Sequence, residues 1–162
     1  MNEIAALFRR LSHGVYVIGV ADGERRSAFT AAWVTQASFD PLLIVVSVNP
    51  QNASYDILRA GRAFTVNVLE HGQTELARRF GTSSSRDHDK LAGVSWHAGG
   101  NGAPVVDDAL AYFECEVQDR HPAGDHELVV GRVVGGRLLD PDAAPMLYAE
   151  TGDMDGSSAL FG

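Results

Sequence analysis

Polar and apolar positions along this chain alternate mainly with the two-residue period of β-strands, and three- and four-residue spacings interrupt that pattern only briefly. Ile4, Leu7, Phe8 and Leu11 share one helical face and predict a short N-terminal helix that Gly14 ends. Residues 15–20, VYVIGV, read as a strand, and Asp22-Gly23 marks a tight hairpin. A second strand is expected from about Ser27 towards Ser38, with Asp40-Pro41 as its stop. The run LLIVVSV at 42–48 is apolar at nearly every position, which predicts a strand buried on both faces.

Asn52 or Ser54 is placed to cap a short helix carrying Tyr55, Ile57 and Leu58, with Gly61 after it. Residues 63–69 predict a strand on which Phe64, Val66 and Val68 face one way. Thr74, Leu76, Ala77 and Phe80 suggest another short helix, closed by Gly81. Residues 82–103, with Ser83-Ser84-Ser85, Gly99-Gly100 and Asn101-Gly102, read mostly as loop, and that length leans functional or interfacial. Ala111, Phe113, Cys115 and Val117 then alternate with polar neighbours, as in a strand with one wet face. Residues 127–134 pair with it across a turn at 122–125, and a last short strand is expected over 145–150. Six or seven antiparallel strands with two or three short helices give a mainly β fold, a closed or nearly closed barrel of Greek-key-like form. The intervals between strands are too short for βαβ crossovers.

Composition narrows the function classes. A chain of 162 residues has room for one domain, expected over residues 1–150, with an unassigned tail at 151–162. Thirteen basic against 21 acidic residues give −8, which does not suit a surface that tracks nucleic-acid phosphates. No apolar run approaches the roughly 18 residues of a membrane helix, and the N-terminus is unlike a signal peptide, so no membrane partner and a cytoplasmic location are expected. Cys115 is the only cysteine, and the histidines show no metal-ligand spacing; neither a disulfide nor a metal site is expected.

Residues 27–41, SAFTAAWVTQASFDP, are small where a core strand would be bulky. Such a stretch leaves the backbone open to a flat ligand, and it equally suits tight packing between strands. Ala28-Phe29-Thr30-Ala31-Ala32-Trp33, then Ser38-Phe39-Asp40-Pro41, resembles the flavin-contacting strand of the flavin reductase-like family, the FMN-binding split barrels. Residues 64–69, FTVNVL, resemble that family's F-x-V-N-V-L strand, and residues 76–81, LARRFG, resemble the helix that follows it. Gly124-Asp125-His126, with Gly131 five residues later, resembles its Gly-Asp-His…Gly motif. The four pieces lie in the family's order and span about residues 5–150.

The resemblance implies an FMN-binding split β-barrel, with FAD as the alternative flavin. Thr30, Ala31, Ala32 and Trp33 would line the isoalloxazine, chiefly through backbone groups. Ser47 and Asn49 would reach the ribityl chain or phosphate, and Ser54 and Tyr55 would open a helix whose N-terminus faces that phosphate. Arg79 would be the basic partner, with Lys90 aligning more loosely. His126 would stand on the nicotinamide side as the catalytic residue, with Asp125 either fixing its tautomer or shaping the turn. Trp33 departs from the small polar residue common at its place, which touches the choice of substrate more than flavin binding.

The implied activity is an NAD(P)H:flavin oxidoreductase, with NADH or NADPH passing hydride to flavin N5 and a partner oxygenase as the destination of the reduced flavin. A homodimer goes with that expectation. The alternative is an FMN-holding electron-transfer flavoprotein that exchanges electrons with another protein. No Gly-x-Gly-x-x-Gly follows a strand, so a nicotinamide would not be held by a Rossmann domain.

Overall fold

The computed structural model describes residues 3–81, 89–154 and 156, so Ser83-Ser84-Ser85 and most of the expected tail lie outside the described residues. After helix α1 (Glu3–Phe8), β1 (Tyr16–Asp22) turns into β2 (Arg25–Ala31) through Gly23, whose φ of 60° suits a residue without Cβ. The single strand expected over 27–38 is two strands, because the chain leaves the ladder at Ala32-Trp33 before β3 (Val34–Phe39) begins. Across a cis Asp40-Pro41 bond, β3 returns as β4 (Leu42–Val48). Helix α2 (Tyr55–Gly61), β5 (Ala63–Val68) and helix α3 (Thr74–Gly81) follow. A small hairpin of β6 (Trp96–Ala98) and β7 (Pro104–Val106) begins within the stretch expected as loop and ends just past it, and β8 (Ala111–Ala123) and β9 (His126–Leu138) form a long hairpin.

Seven strands make one antiparallel sheet in the order β2-β1-β5-β8-β9-β4-β3. The two edges, β2 and β3, are neighbours in sequence with only Ala32 and Trp33 between them. Consecutive Cα atoms are about 3.8 Å apart, so Ala31 and Val34 lie within about 11 Å of each other. The sheet therefore curls until its margins nearly meet, yet β2 and β3 do not pair, and the barrel stays open along that seam.

Ile18, Val20, Phe29, Val46, Phe64, Val66, Cys115 and Val129 fill the barrel interior. A second cluster, with Val15, Val17, Leu69, Ala77, Phe80, Val106 and Met146, packs α3 and the β6–β7 hairpin against the outside of β1. Burial on both faces thus belongs to β1 and β5 and not to β4. On β4, Ile44, Val46 and Val48 point inward, while Leu43 and Val45 are half-buried and Leu42 is exposed.

Asn67 ties the two layers together from a fully buried position. Its Nδ2 donates to the Val17 carbonyl at 2.9 Å, and its Oδ1 accepts from the Val106 N–H at 2.9 Å. Gly131 has a packing reason: a Cβ there would run into the Phe64 ring and crowd Cys115. The strand expected over 145–150 does not form. That segment threads between the start of β1 and the end of β5, making single bridges at Pro145 and Leu147 before a 3₁₀ turn at Tyr148–Thr151.

Candidate functional site

The open seam is where backbone groups lose their ladder partners. The N–H groups of Ala32 and Trp33 meet no acceptor among the described residues, and only the Trp33 carbonyl is engaged, by Ser47 N–H at 3.0 Å. Against this seam lies a cleft of about 320 Å³. Thr30, Ala31, Ala32 and Trp33 form one wall, and Ser47, Asn49 and Asn52, at and beyond the end of β4, form the next. Val15, Gly81, Tyr148, Thr151 and Met154 close the remaining side. The side-chain Oδ1 atoms of Asn49 and Asn52 accept the N–H groups of Gln51 and Ser54 at 2.9 Å each. That leaves both side-chain NH₂ groups without an acceptor among the described residues.

His126, the first residue of β9, reaches the same cleft. Its ring centroid lies 4.9 Å from that of Trp33, with the planes tilted by 46°. The His126 Nδ1 is 2.7 Å from the Asp125 carboxylate, which can only accept, so Nδ1 carries the proton and donates. That hydrogen bond, and then the attraction of the imidazole, hold the Asp125 carboxyl below its ordinary value. The free nitrogen of the imidazole is Nε2.

Four of the residues implied for the phosphate, Ser54, Tyr55, Arg79 and Lys90, lie outside the cleft lining. Ser54 is fully buried, and its hydroxyl shares a 2.8 Å hydrogen bond with Ser27. Tyr55 donates its hydroxyl to Glu127 Oε2 at 2.9 Å, and burial, followed by that carboxylate, raises its pKa. Arg120 completes this network on Glu127 at 3.0 Å, fixing α2 to the β8–β9 hairpin. Arg79 donates from Nε to the Lys90 carbonyl at 2.9 Å, and from its terminal nitrogen to the Ala92 carbonyl. Lys90 is only 6% exposed, with Nζ 3.5 Å from the Phe80 carbonyl, and burial pulls its pKa down. These two cations brace α3 against residues 90–92.

Asn52, Gly81 and the 148–154 segment are cleft residues that sequence reasoning did not single out. Asn52 stood out only as a helix cap, and the 148–154 residues carried no motif. Their one signal is a three-residue spacing, Tyr148, Thr151 and Met154.

The cleft suits a planar heterocycle: its volume is at the lower end for small-molecule sites, its seam wall is main chain with small side chains, and its donors cluster beside Asn49. The sequence model of the flavin reductase like domain family matches residues 8–157. The chain belongs to this family, which is one of oxidoreductases. It is 41% identical, over 86% of its length, to putative diflavin flavoprotein A 3 of Nostoc sp., covering 24% of that protein. The chain spans about a quarter of the length of the diflavin relatives it matches. Among solved structures, the NADH:FAD oxidoreductase SgcE6 of Streptomyces globisporus superposes with a TM-score of 0.85 at 30% identity, over 91% of this chain and 88% of that one. Nitrilotriacetate monooxygenase component B from Mycobacterium thermoresistibile gives 0.77 at 31% identity, over 89% and 82%.

Proposed function

We propose that the protein is an NAD(P)H-dependent flavin reductase that binds FMN in the seam cleft. The observation that carries this reading is the convergence of the Ala32 and Trp33 backbone N–H groups, which have no acceptor among the described residues, with the imidazole of His126 across one cleft. When bound, the flavin supplies the hydride-accepting N5. The chain supplies the rest. Thr30 to Trp33 offer main-chain groups to the edge of the ring, and the Asn49 and Asn52 amides and Ser47 hydroxyl suit the hydroxylated chain. Trp33 screens one face from water. His126, held by Asp125, presents Nε2 to the carboxamide side of an entering nicotinamide.

Membership in the flavin reductase-like family supports the reading, and so does the likeness to SgcE6, which has been solved with NAD and FAD fragments. The likeness to a monooxygenase component B supports an oxygenase as recipient of the reduced flavin. A homodimer is supported by apolar surface left open on a single chain: Phe39 is 85% exposed at the β3 edge, next to Leu42, and Ile4, Leu7 and Phe8 of α1 face outward. Among the described residues, no helix is long and apolar enough to cross a membrane.

A second reading has its own support. Diflavin flavoproteins contain a matching stretch as about a quarter of their length, which favours a domain that keeps FMN and trades electrons with a protein. Anaerobic mixing decides between them. Bleaching by NADH or NADPH, with flavin lost on desalting, supports the reductase. Yellow protein after desalting that neither nucleotide bleaches supports the electron-transfer domain.

A further inference from the structure

The segment that completes the cleft comes from outside the family motifs, and one carboxylate joins its 3₁₀ turn to the loop between β5 and α3. Met146 is buried between the chain entering β1 and the chain leaving β5, with its N–H on the Leu69 carbonyl at 2.8 Å. Tyr148 N–H donates to the His13 carbonyl at 2.8 Å, and its ring meets that of His13 edge-on at 6.2 Å. From there the chain winds with i→i+3 bonds, Glu150 N–H to Leu147 at 3.0 Å and Met154 N–H to Thr151 at 3.2 Å. Three residues per turn put side chains at i and i+3 on one face. Within the turn Tyr148 and Thr151 therefore share the face that lines the cleft and Glu150 lies off it; Gly152, at φ 62°, ends the turn, and Met154 beyond it joins the same lining.

On that far side the Glu150 carboxylate gathers three donors. Leu147 N–H lies 2.7 Å from Oε2, Gly72 N–H lies 3.3 Å from Oε1, and His71 Nδ1 is 2.6 Å from the same Oε1. Two of these belong to the loop between β5 and α3, so a single side chain joins the 3₁₀ turn to that loop. The Leu147 N–H, with lesser help from His71 and Gly72, keeps the carboxyl below its ordinary value, so it is ionised at neutral pH.

We propose that Glu150 is a positioning residue for the flavin cleft: by clasping the 3₁₀ turn to the β5–α3 loop it sets the wall of Tyr148, Thr151 and Met154 against which the ligand packs. The inference rests on the flavin reading of the cleft. In Glu150→Gln one acceptor becomes a donor and the charge opposite His71 is lost, so one of the three partners is left facing an NH₂ group. In His71→Ala only one partner goes, so the same effect is smaller.

The test uses the full chain with FMN as the probe. Hydrogen exchange is followed at Gly72, at 147–154, at 30–33 and at core Val66, alongside FMN titration and steady-state reduction. In the parent protein FMN is expected to slow exchange at both 30–33 and 148–154. Glu150→Gln is expected to speed exchange at Gly72 and Leu147 but not at Val66. It should weaken FMN binding about tenfold and raise the flavin KM in proportion, with kcat moved less than twofold. His71→Ala should fall between the two. Unchanged FMN affinity in Glu150→Gln overturns the proposal, as does faster exchange at Val66 in step with the loss, since that marks general destabilisation. Protection at 30–33 without protection at 148–154 overturns this inference alone. Protection at neither segment overturns the flavin reading and the inference with it.

Discussion

Trp33 and His126 meet with ring centroids 4.9 Å apart, although one belongs to the joint between the two sheet edges and the other begins β9. Each ring limits where the other can go. Trp33 is 51% exposed, so the pair sits at the lower end of the about 0.5–1.5 kcal/mol that aromatic contacts add beyond area burial. A double-mutant cycle with Trp33→Ala and His126→Ala should give a coupling of about 0.5 kcal/mol in urea unfolding. In anaerobic rapid mixing, His126→Ala should slow flavin bleaching by NADH about tenfold while FMN affinity changes less than threefold. Equal losses in both would place His126 in flavin binding instead.

Asp125 provides the pH dependence. Its folded-state pKa is depressed by the hydrogen bond from His126, so the interaction is fully present above the ordinary carboxylate value of about 3.9 and is lost as pH falls through the lower folded value. At neutral pH the imidazole is oriented; in acid it is released. Asp125→Asn should lower the bleaching rate at pH 7 and flatten the acid side of the rate profile, because an amide does not titrate. A variant with the parent's acid limb would show that another group sets it.

Arg79 separates two roles by ligand. If its guanidinium serves a phosphate, Arg79→Ala weakens FMN about tenfold or more and leaves riboflavin unchanged. If it acts only by bracing α3 to the Lys90 and Ala92 carbonyls, both flavins lose affinity together. Isothermal titration with the two ligands reads the difference. The bonds to those carbonyls and the absence of Arg79 from the cleft lining favour the equal loss.

Gly131 is fixed by the ring above it. Gly131→Ala would press a methyl group into Phe64 at the centre of the barrel, and overpacking of that kind costs about 1–3 kcal/mol. The urea midpoint should fall accordingly. Phe64→Leu in the same chain should restore part of the loss, whereas Phe64→Leu alone should destabilise.

Period and turn chemistry made much of the barrel readable from the residues. Asp40-Pro41 and Gly124-Asp125 are the two-residue links between paired strands, and Asp22-Gly23 leads into a third, Gly23-Glu24. The errors have physical causes. Leu42 to Val46 look two-sided because an outer face that is apolar cannot be told from a buried one by composition. The strand expected over 27–38 hid its break, since Ala32 and Trp33 carry no turn residue; the departure is imposed by the curl of the whole sheet. Ser54 and Tyr55 do stand at the start of α2, with their hydroxyls held by a half-buried Ser27 and by Glu127, which Arg120 pairs. Beyond their three-residue spacing, the letters of 148–154 do not mark a cleft wall, because that role depends on where distant β1 and β5 leave a gap.

The two-residue joint also governs how this protein responds to change. An aperture spanned by a fixed arc of chain is a matter of contour length more than of lettering. Trimming side chains at positions 31 and 32 removes at most a methyl group, so a truncation scan there would pass almost silently. One extra residue between Ala32 and Trp33, a small matter in most surface turns, would prise the margins apart and spoil the opening from both sides at once.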